Sequence, residues 1–158
     1  MKSFLATLGL KMPDYVFEIG VITEKTKRKK IQLGVTNAEL MFIHENGSPL
    51  RNLPARPVLE MTIEWANSSG ELEKVIDAAF EILVRTGDIS KIDILMKKFA
   101  IKLQNYARNI IISNDGRLAA NAPSTIKAKG DNYPLHNTGQ LARSITCRAF
   151  RIEGGKLV

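Results

Sequence analysis

Four residues of this 158-residue chain have types that commonly do chemistry: the neighbours His44 and Glu45, then His136 and Cys147. A His-Glu pair becomes a zinc site when a second histidine follows on the same helix face, as in H-E-x-x-H, and that histidine is absent. His44 therefore reads as a structural imidazole hydrogen-bonded at a helix end, and His136 as a group that caps or bonds locally in a loop. Cys147 is the only cysteine, which excludes an internal disulfide and a cysteine-rich zinc site. It stands on an apolar strand pattern, where a thiol is buried and inert rather than nucleophilic. No Gly-x-Ser-x-Gly, phosphate loop or dinucleotide fingerprint is present. These residues predict a non-enzymatic protein with no metal and no cofactor.

Charge is the second chemical signal. Lys and Arg number 23 against 16 Asp and Glu, a formal charge of +7, which favours an anionic partner. The densest cluster is "TEKTKRKK", residues 23–30, which carries Lys25, Lys27, Arg28, Lys29 and Lys30. Such a cluster binds phosphates without reading sequence, meets an acidic protein, or is simply a solvated loop. The N-terminus lacks the apolar core and cleavage site of a signal peptide, and no apolar run approaches the ~20 residues that cross a bilayer. The expectation is a soluble, intracellular chain with no membrane association.

The elements that must position these residues read as α+β, in one domain over residues 1–158. "YVFEIGVI" (15–22) and "KIQLGV" (30–35) have strand composition and suggest a hairpin with the basic cluster at its tip. Thr36 or Asn37 caps a short helix that buries Leu40, Ile43 and Met41 and ends in a left-handed Gly47. Pro54 and Pro57 stiffen the link around Arg56, and Pro57 opens the next helix, with Leu59, Thr62, Ile63 and Ala66 inward. Ser68 and Glu71 have capping-box spacing at a break, after which Leu72, Val75, Ile76, Ala79 and Leu83 continue an apolar face. The clearest element is an amphipathic helix over Ile89 to Ser113, with Ile92, Met96, Phe99, Leu103, Tyr106, Ala107 and Ile110 inward and lysines outside. After a loop, Ser124 caps one turn ended by Gly130, a short helix covers 139–144 with Asn137 or Thr138 as its cap, and 145–152 alternates as a last strand that returns to the sheet.

The segment "PLHNTGQLARSI" (134–145) resembles the Pro-Leu, two residues, Thr-Gly-x-Leu-x-x-Ser-Ile signature of a tailed-phage family of tail-completion or neck proteins. Three further pieces are similar in the family's order. "AELMFIHENGSP" matches its Ile-His-Glu-x-Gly, "LPARPVL" its Pro-Ala-Arg-Pro-Phe-Leu with Val58 in place of Phe, and "APSTIKAKG" the segment before the signature.

The resemblance covers about two-thirds of the chain and implies an α+β subunit with a small curved antiparallel sheet packed with several helices. It implies a homo-oligomeric ring, sixfold or twelvefold, at the head-tail junction, contacting connector and tail proteins while DNA passes non-specifically. The implied location is the virion, with assembly in the host cytoplasm. Candidate subunit contacts are Pro54, Arg56, Pro57, His136 and Arg143, and Lys25, Lys27, Arg28, Lys29 and Lys30 are candidates for DNA or an acidic partner. Arg56 reads equally as a neighbour's contact or as half of an internal salt bridge. Phe42, Met61 and Trp65 are candidate anchors for which a core role is the stronger reading. The basic tip and the loop over 116–124 are expected to order on assembly. A different class of reading is a nucleic-acid-binding domain without sequence preference, which the charge supports but no recognition helix or aromatic RNA-binding pattern does.

Overall fold

The computed structural model describes residues 11–22 and 35–158. The lysine and arginine cluster at 25–30 and most of the expected second strand lie outside that range.

The chain is α+β, with six helices and a three-stranded antiparallel sheet among the described residues. Strand β1 (Asp14–Val21) is followed by α1 (Asn37–Asn46), a 3-10 turn (Pro49–Arg51), α2 (Val58–Ser68), α3 (Glu71–Thr86) and α4 (Ile89–Ser113). Short helices α5 (Pro123–Lys129) and α6 (Gln140–Ser144) lead into β2 (Ile145–Glu153) and β3 (Lys156–Leu157). The sheet order is β1-β2-β3, so the last long strand is central. β3 answers to no strand pattern in the sequence, because two residues are too few to alternate. Gly154 and Gly155, both at positive φ, turn the chain so that Ile152 faces Leu157 and Glu153 faces Lys156.

Several ends differ from expectation. Thr36 caps α1 through a capping box with Glu39, leaving Asn37 fully buried with neither amide atom partnered among the described residues. Of the apolar residues of that helix Met41 is buried, Leu40 and Ile43 are half-buried, and Phe42 is 70% exposed. In α2, Val58, Thr62 and Ala66 are buried while Ile63 is exposed. Pro57 precedes α2 and its carbonyl accepts from Met61. Between α2 and α3 the Ser68 capping box does not form. Ser68 Oγ donates back to the Glu64 carbonyl, and Gly70 in the left-handed region starts the new helix. Pro123, not Ser124, opens α5, and Gly139 precedes α6 with no side-chain cap.

The residues form two compact units. One comprises the described parts of 1–18, 64–103 and 147–158, the other 19–63 and 104–146, and β1, α2, α4 and β2 contribute residues to both. In the first unit Ala79, Leu83, Ile92 and Met96 form a buried cluster, with Tyr15, Phe17 and Ala149 packed against it. Phe17 meets Phe99 edge-to-face at 5.4 Å. Tyr15 Oη donates to Asp93 at 2.6 Å, and Arg151 lies 3.2 Å from the same carboxylate, tying β1, α4 and β2 through one acid. Burial, then the bond to anionic Asp93, pushes the Tyr15 phenol well above its ordinary range. The second unit is built on Met41, Val58, Ala107, Ile110, Ile111, Leu141, Ala142 and Ile145, all buried.

Cys147 is buried, and desolvation raises its thiol from 9.0 to about 11. A two-unit rise leaves about 100-fold less thiolate, so labelling of the folded chain at pH 8 should run at least ~100-fold slower than labelling of the unfolded chain. The sign for stability follows from the same shift. Below pH 9 both states keep the proton; between about 9 and 11 only the unfolded chain releases it, so this group erodes stability as pH rises through that window. Following thiol-reagent absorbance with and without denaturant checks the first expectation, and equal rates would refute it.

Candidate functional site

No group of three His, Cys, Asp or Glu side chains stands together as a metal site among the described residues, and none of their helices is long and apolar enough to cross a membrane. The polar side chains from the segments singled out in the sequence converge in the second unit.

Glu45 stands on the last turn of α1 and reaches the start of α2. Its Oε1 accepts from Leu59 N and Glu60 N, both at 2.9 Å, and its Oε2 from Leu59 N at 3.2 Å. The first N–H groups of a helix have no partner within the helix and carry partial positive charge, so a carboxylate there both satisfies and neutralises them. Pro57, just before α2, has no N–H to satisfy. Glu45→Ala should cost about 1–2 kcal/mol in urea unfolding, with Glu45→Gln in between because its amide oxygen still accepts. A Gln variant as stable as wild type would argue against the charge component, and one as unstable as the Ala variant would argue against the hydrogen-bond component.

His44, one residue earlier, holds Arg56 by two routes. The His44 carbonyl accepts Arg56 N at 2.6 Å, and its Nδ1 lies 3.4 Å from Arg56 Nη1. The remaining guanidinium donors reach across the unit: Nε to Ala119 O and Nη2 to Ala120 O, each at 2.8 Å. Arg56 is 3% exposed. Its guanidinium is directed inward, and among the described residues its partners are carbonyls and an imidazole, not a carboxylate. Among the described residues Arg56 makes no salt bridge, so its hold on the first helix runs through the His44 carbonyl and imidazole instead. Burial pulls its pKa below the ordinary guanidinium value. The loop over 116–124 is correspondingly held: Arg56 grips two of its carbonyls, Asn121 N donates to Asn132 Oδ1, and Arg117 forms a bidentate pair with Asp115.

Gly47 makes the close approach of these segments feasible. A Cβ there would stand 2.7 Å from Ala55 N and 2.8 Å from Leu53 O. Its φ of 68° fits the expectation of positive φ, but its ψ of −173° is extended rather than left-handed helical. Between Gly47 and the link, Ser48 and Leu53 exchange two backbone bonds, and the turn they close lifts Leu50 fully into solvent. Pro54 is exposed on the link beyond it.

The signature segment forms a second polar focus. Lys129 Nζ, at the end of α5, donates to the carbonyls of Tyr133 (2.7 Å) and His136 (2.6 Å), folding the hinge around one ammonium. The His136 ring meets the Tyr133 ring edge-to-face at 4.5 Å, and the Tyr133 hydroxyl donates to the Ile112 carbonyl. Arg143 is exposed, with Nη2 on the Thr138 carbonyl and the guanidinium over Gly139. Arg108 of α4 donates to the carbonyls of Arg143 and Ile145, securing the passage from α6 to β2.

The sequence therefore pointed to Arg56, His136 and Arg143 by type but not to Lys129 or Arg108, whose partners are backbone carbonyls. Backbone acceptors leave no compositional trace. The five basic residues at 25–30 lie outside the described range. No family model, no curated protein and no solved structure matches the chain.

Proposed function

We propose that this chain is a structural subunit of a ring at the head-tail junction of a tailed phage, joining the DNA-filled head and its connector to the tail. The carrying observation is the ordered set of four sequence segments resembling the tail-completion and neck family. It is supported by the way those segments interlock, with His44 and Glu45 bound to the Arg56 link and α2, and Arg56 bound to the loop before α5. In this reading the work is assembly rather than catalysis: a braced unit presents loops and exposed apolar tips to its neighbours, and the basic residues face passing DNA or an acidic ring. Such rings are made by contacts between different surfaces of identical subunits.

The test is the mass of the purified chain, by native mass spectrometry, alone and after mixing with portal-bearing heads or with tails. Capture by one particle in sixfold or twelvefold stoichiometry is the expected result. Absence of capture, together with tight binding to DNA that weakens steeply with salt, would replace the ring by the nucleic-acid-binding reading that the net charge of +7 favours.

A further inference from the structure

Helix α1 and the turn after it expose two kinds of apolar surface. Leu50 is 100% exposed at the centre of the Pro49–Arg51 turn. That turn is closed by backbone bonds: Ser48 N donates to Leu53 O at 2.8 Å, Leu53 N to Ser48 O at 3.0 Å, and Asn52, at φ 50°, donates its N–H to the Pro49 carbonyl. Phe42 is 70% exposed, with an apolar groove on either side. Val35, Ala38 and Ile43 line one and Val21, Met41 and Leu59 the other, with Phe42 and Ala38 shared. Leu50 is fully in solvent, so it does not fill the groove of its own chain.

Charges flank both surfaces. Arg51, next to Leu50, is exposed and has no ion pair among the described residues. Glu39 lines the first groove, and among the described residues only its Oε2 is engaged, by Thr36 N at 2.7 Å and Thr36 Oγ1 at 2.9 Å. Those bonds hold its carboxyl below the ordinary range, so it is an anion at neutral pH. A cation stands beside the tip and an anion beside the groove, and tip and groove belong to one chain.

We propose that the Leu50 tip of one copy seats in the groove beside Phe42 of a second copy, with Arg51 against Glu39. The contact joins two different surfaces, so it is heterologous and propagates until the rotation closes. It deepens the ring reading above and takes its biological setting from it.

Sedimentation velocity across a micromolar dilution series tests the contact in the full-length chain. Wild type should self-associate, and Leu50→Glu, at a fully exposed site that leaves the fold intact, should weaken association about 10- to 100-fold. Ala38→Glu should do the same from the groove side. Mixing the two variants restores one intact tip and one intact groove, and should give a one-to-one complex that grows no further. Circular dichroism confirms that each variant is folded, and Leu50→Ser serves as a second tip variant.

A wild type that stays monomeric throughout, a Leu50→Glu variant that associates like wild type, or a mixture that stays monomeric would overturn the contact. So would association that depends on residues 1–10 and not on Leu50, which would assign the groove to the N-terminal segment. Particle capture separates this proposal from the ring reading. Equal capture of wild type and Leu50→Glu overturns the contact alone, whereas normal self-association without capture of wild type overturns the ring reading alone.

Discussion

Gly47→Ala should lower the thermal midpoint by about 4 to 24 °C, since ~1 kcal/mol corresponds to about 2–4 °C in a chain of this size. Two costs add. The backbone at φ 68° and ψ −173° lies in a region that essentially only glycine occupies, which costs a side-chain-bearing residue about 1–3 kcal/mol. The new Cβ would also meet Ala55 N, Leu53 O and Ala55 Cα at 2.7, 2.8 and 3.1 Å. All three are backbone atoms, so no rotamer change relieves the clash. The link must move, and with it Arg56 N, whose bond to the His44 carbonyl is 2.6 Å. Overpacking of this kind costs about 1–3 kcal/mol more. Gly87→Ala is the control: its φ of 63° is also positive, but nothing lies within 4 Å of its Cβ, so only about 1 kcal/mol of strain is expected. Differential scanning calorimetry of both variants decides. Equal losses would mean that the close approach at Gly47 contributes nothing.

Arg56→Ala should cost about 3–5 kcal/mol, because it opens a cavity where a 3% exposed side chain stood and leaves the half-buried Ala119 carbonyl and the Ala120 carbonyl without their donors. Arg56→Met separates the two effects. It keeps most of the volume and removes the donors, and about 1–2 kcal/mol is expected from the lost bonds, because water reaches the exposed Ala120 carbonyl. Arg56→Lys keeps the charge but replaces a planar fork by a single ammonium, so it should fall between wild type and Met. Urea unfolding gives the order, and hydrogen exchange gives the place. Exchange should quicken at Asn121, whose N–H is held by Asn132, before it quickens in α4. A Met variant as stable as wild type would show that the guanidinium bonds are not what holds the loop.

Periodicity made α4 legible to the residue, since an apolar group every three or four positions over 25 residues overrides local ambiguity. Termination by glycine was legible at Gly130 for the same local reason, since it ends α5 in left-handed geometry. Capping was less so. Ser68, Asn137 and Thr138 have cap-forming types at suitable spacing, but Gly70 and Gly139 take the positions before α3 and α6. Burial of single residues was legible only as a face. Phe42 and Ile63 carry core-forming side chains and stand outside, while Asn37 and Thr62 are buried, because packing partners from distant segments decide which edge of a helix face is covered.

By itself the sequence determined the α+β class, the extents of the main helices, the glycine-terminated ends and a cysteine set for burial. These depend on contacts within a few residues, where type and spacing suffice. Only the tertiary structure decided that Arg56 points inward onto carbonyls 63 and 64 residues away, that Glu45 caps α2, and that Lys129 gathers the Tyr133 and His136 carbonyls. The acceptors of Arg56 and Lys129 are peptide groups, identical at every position of the chain. Which of them a guanidinium or an ammonium finds is set by the path of the folded backbone and not by the residue that bears them.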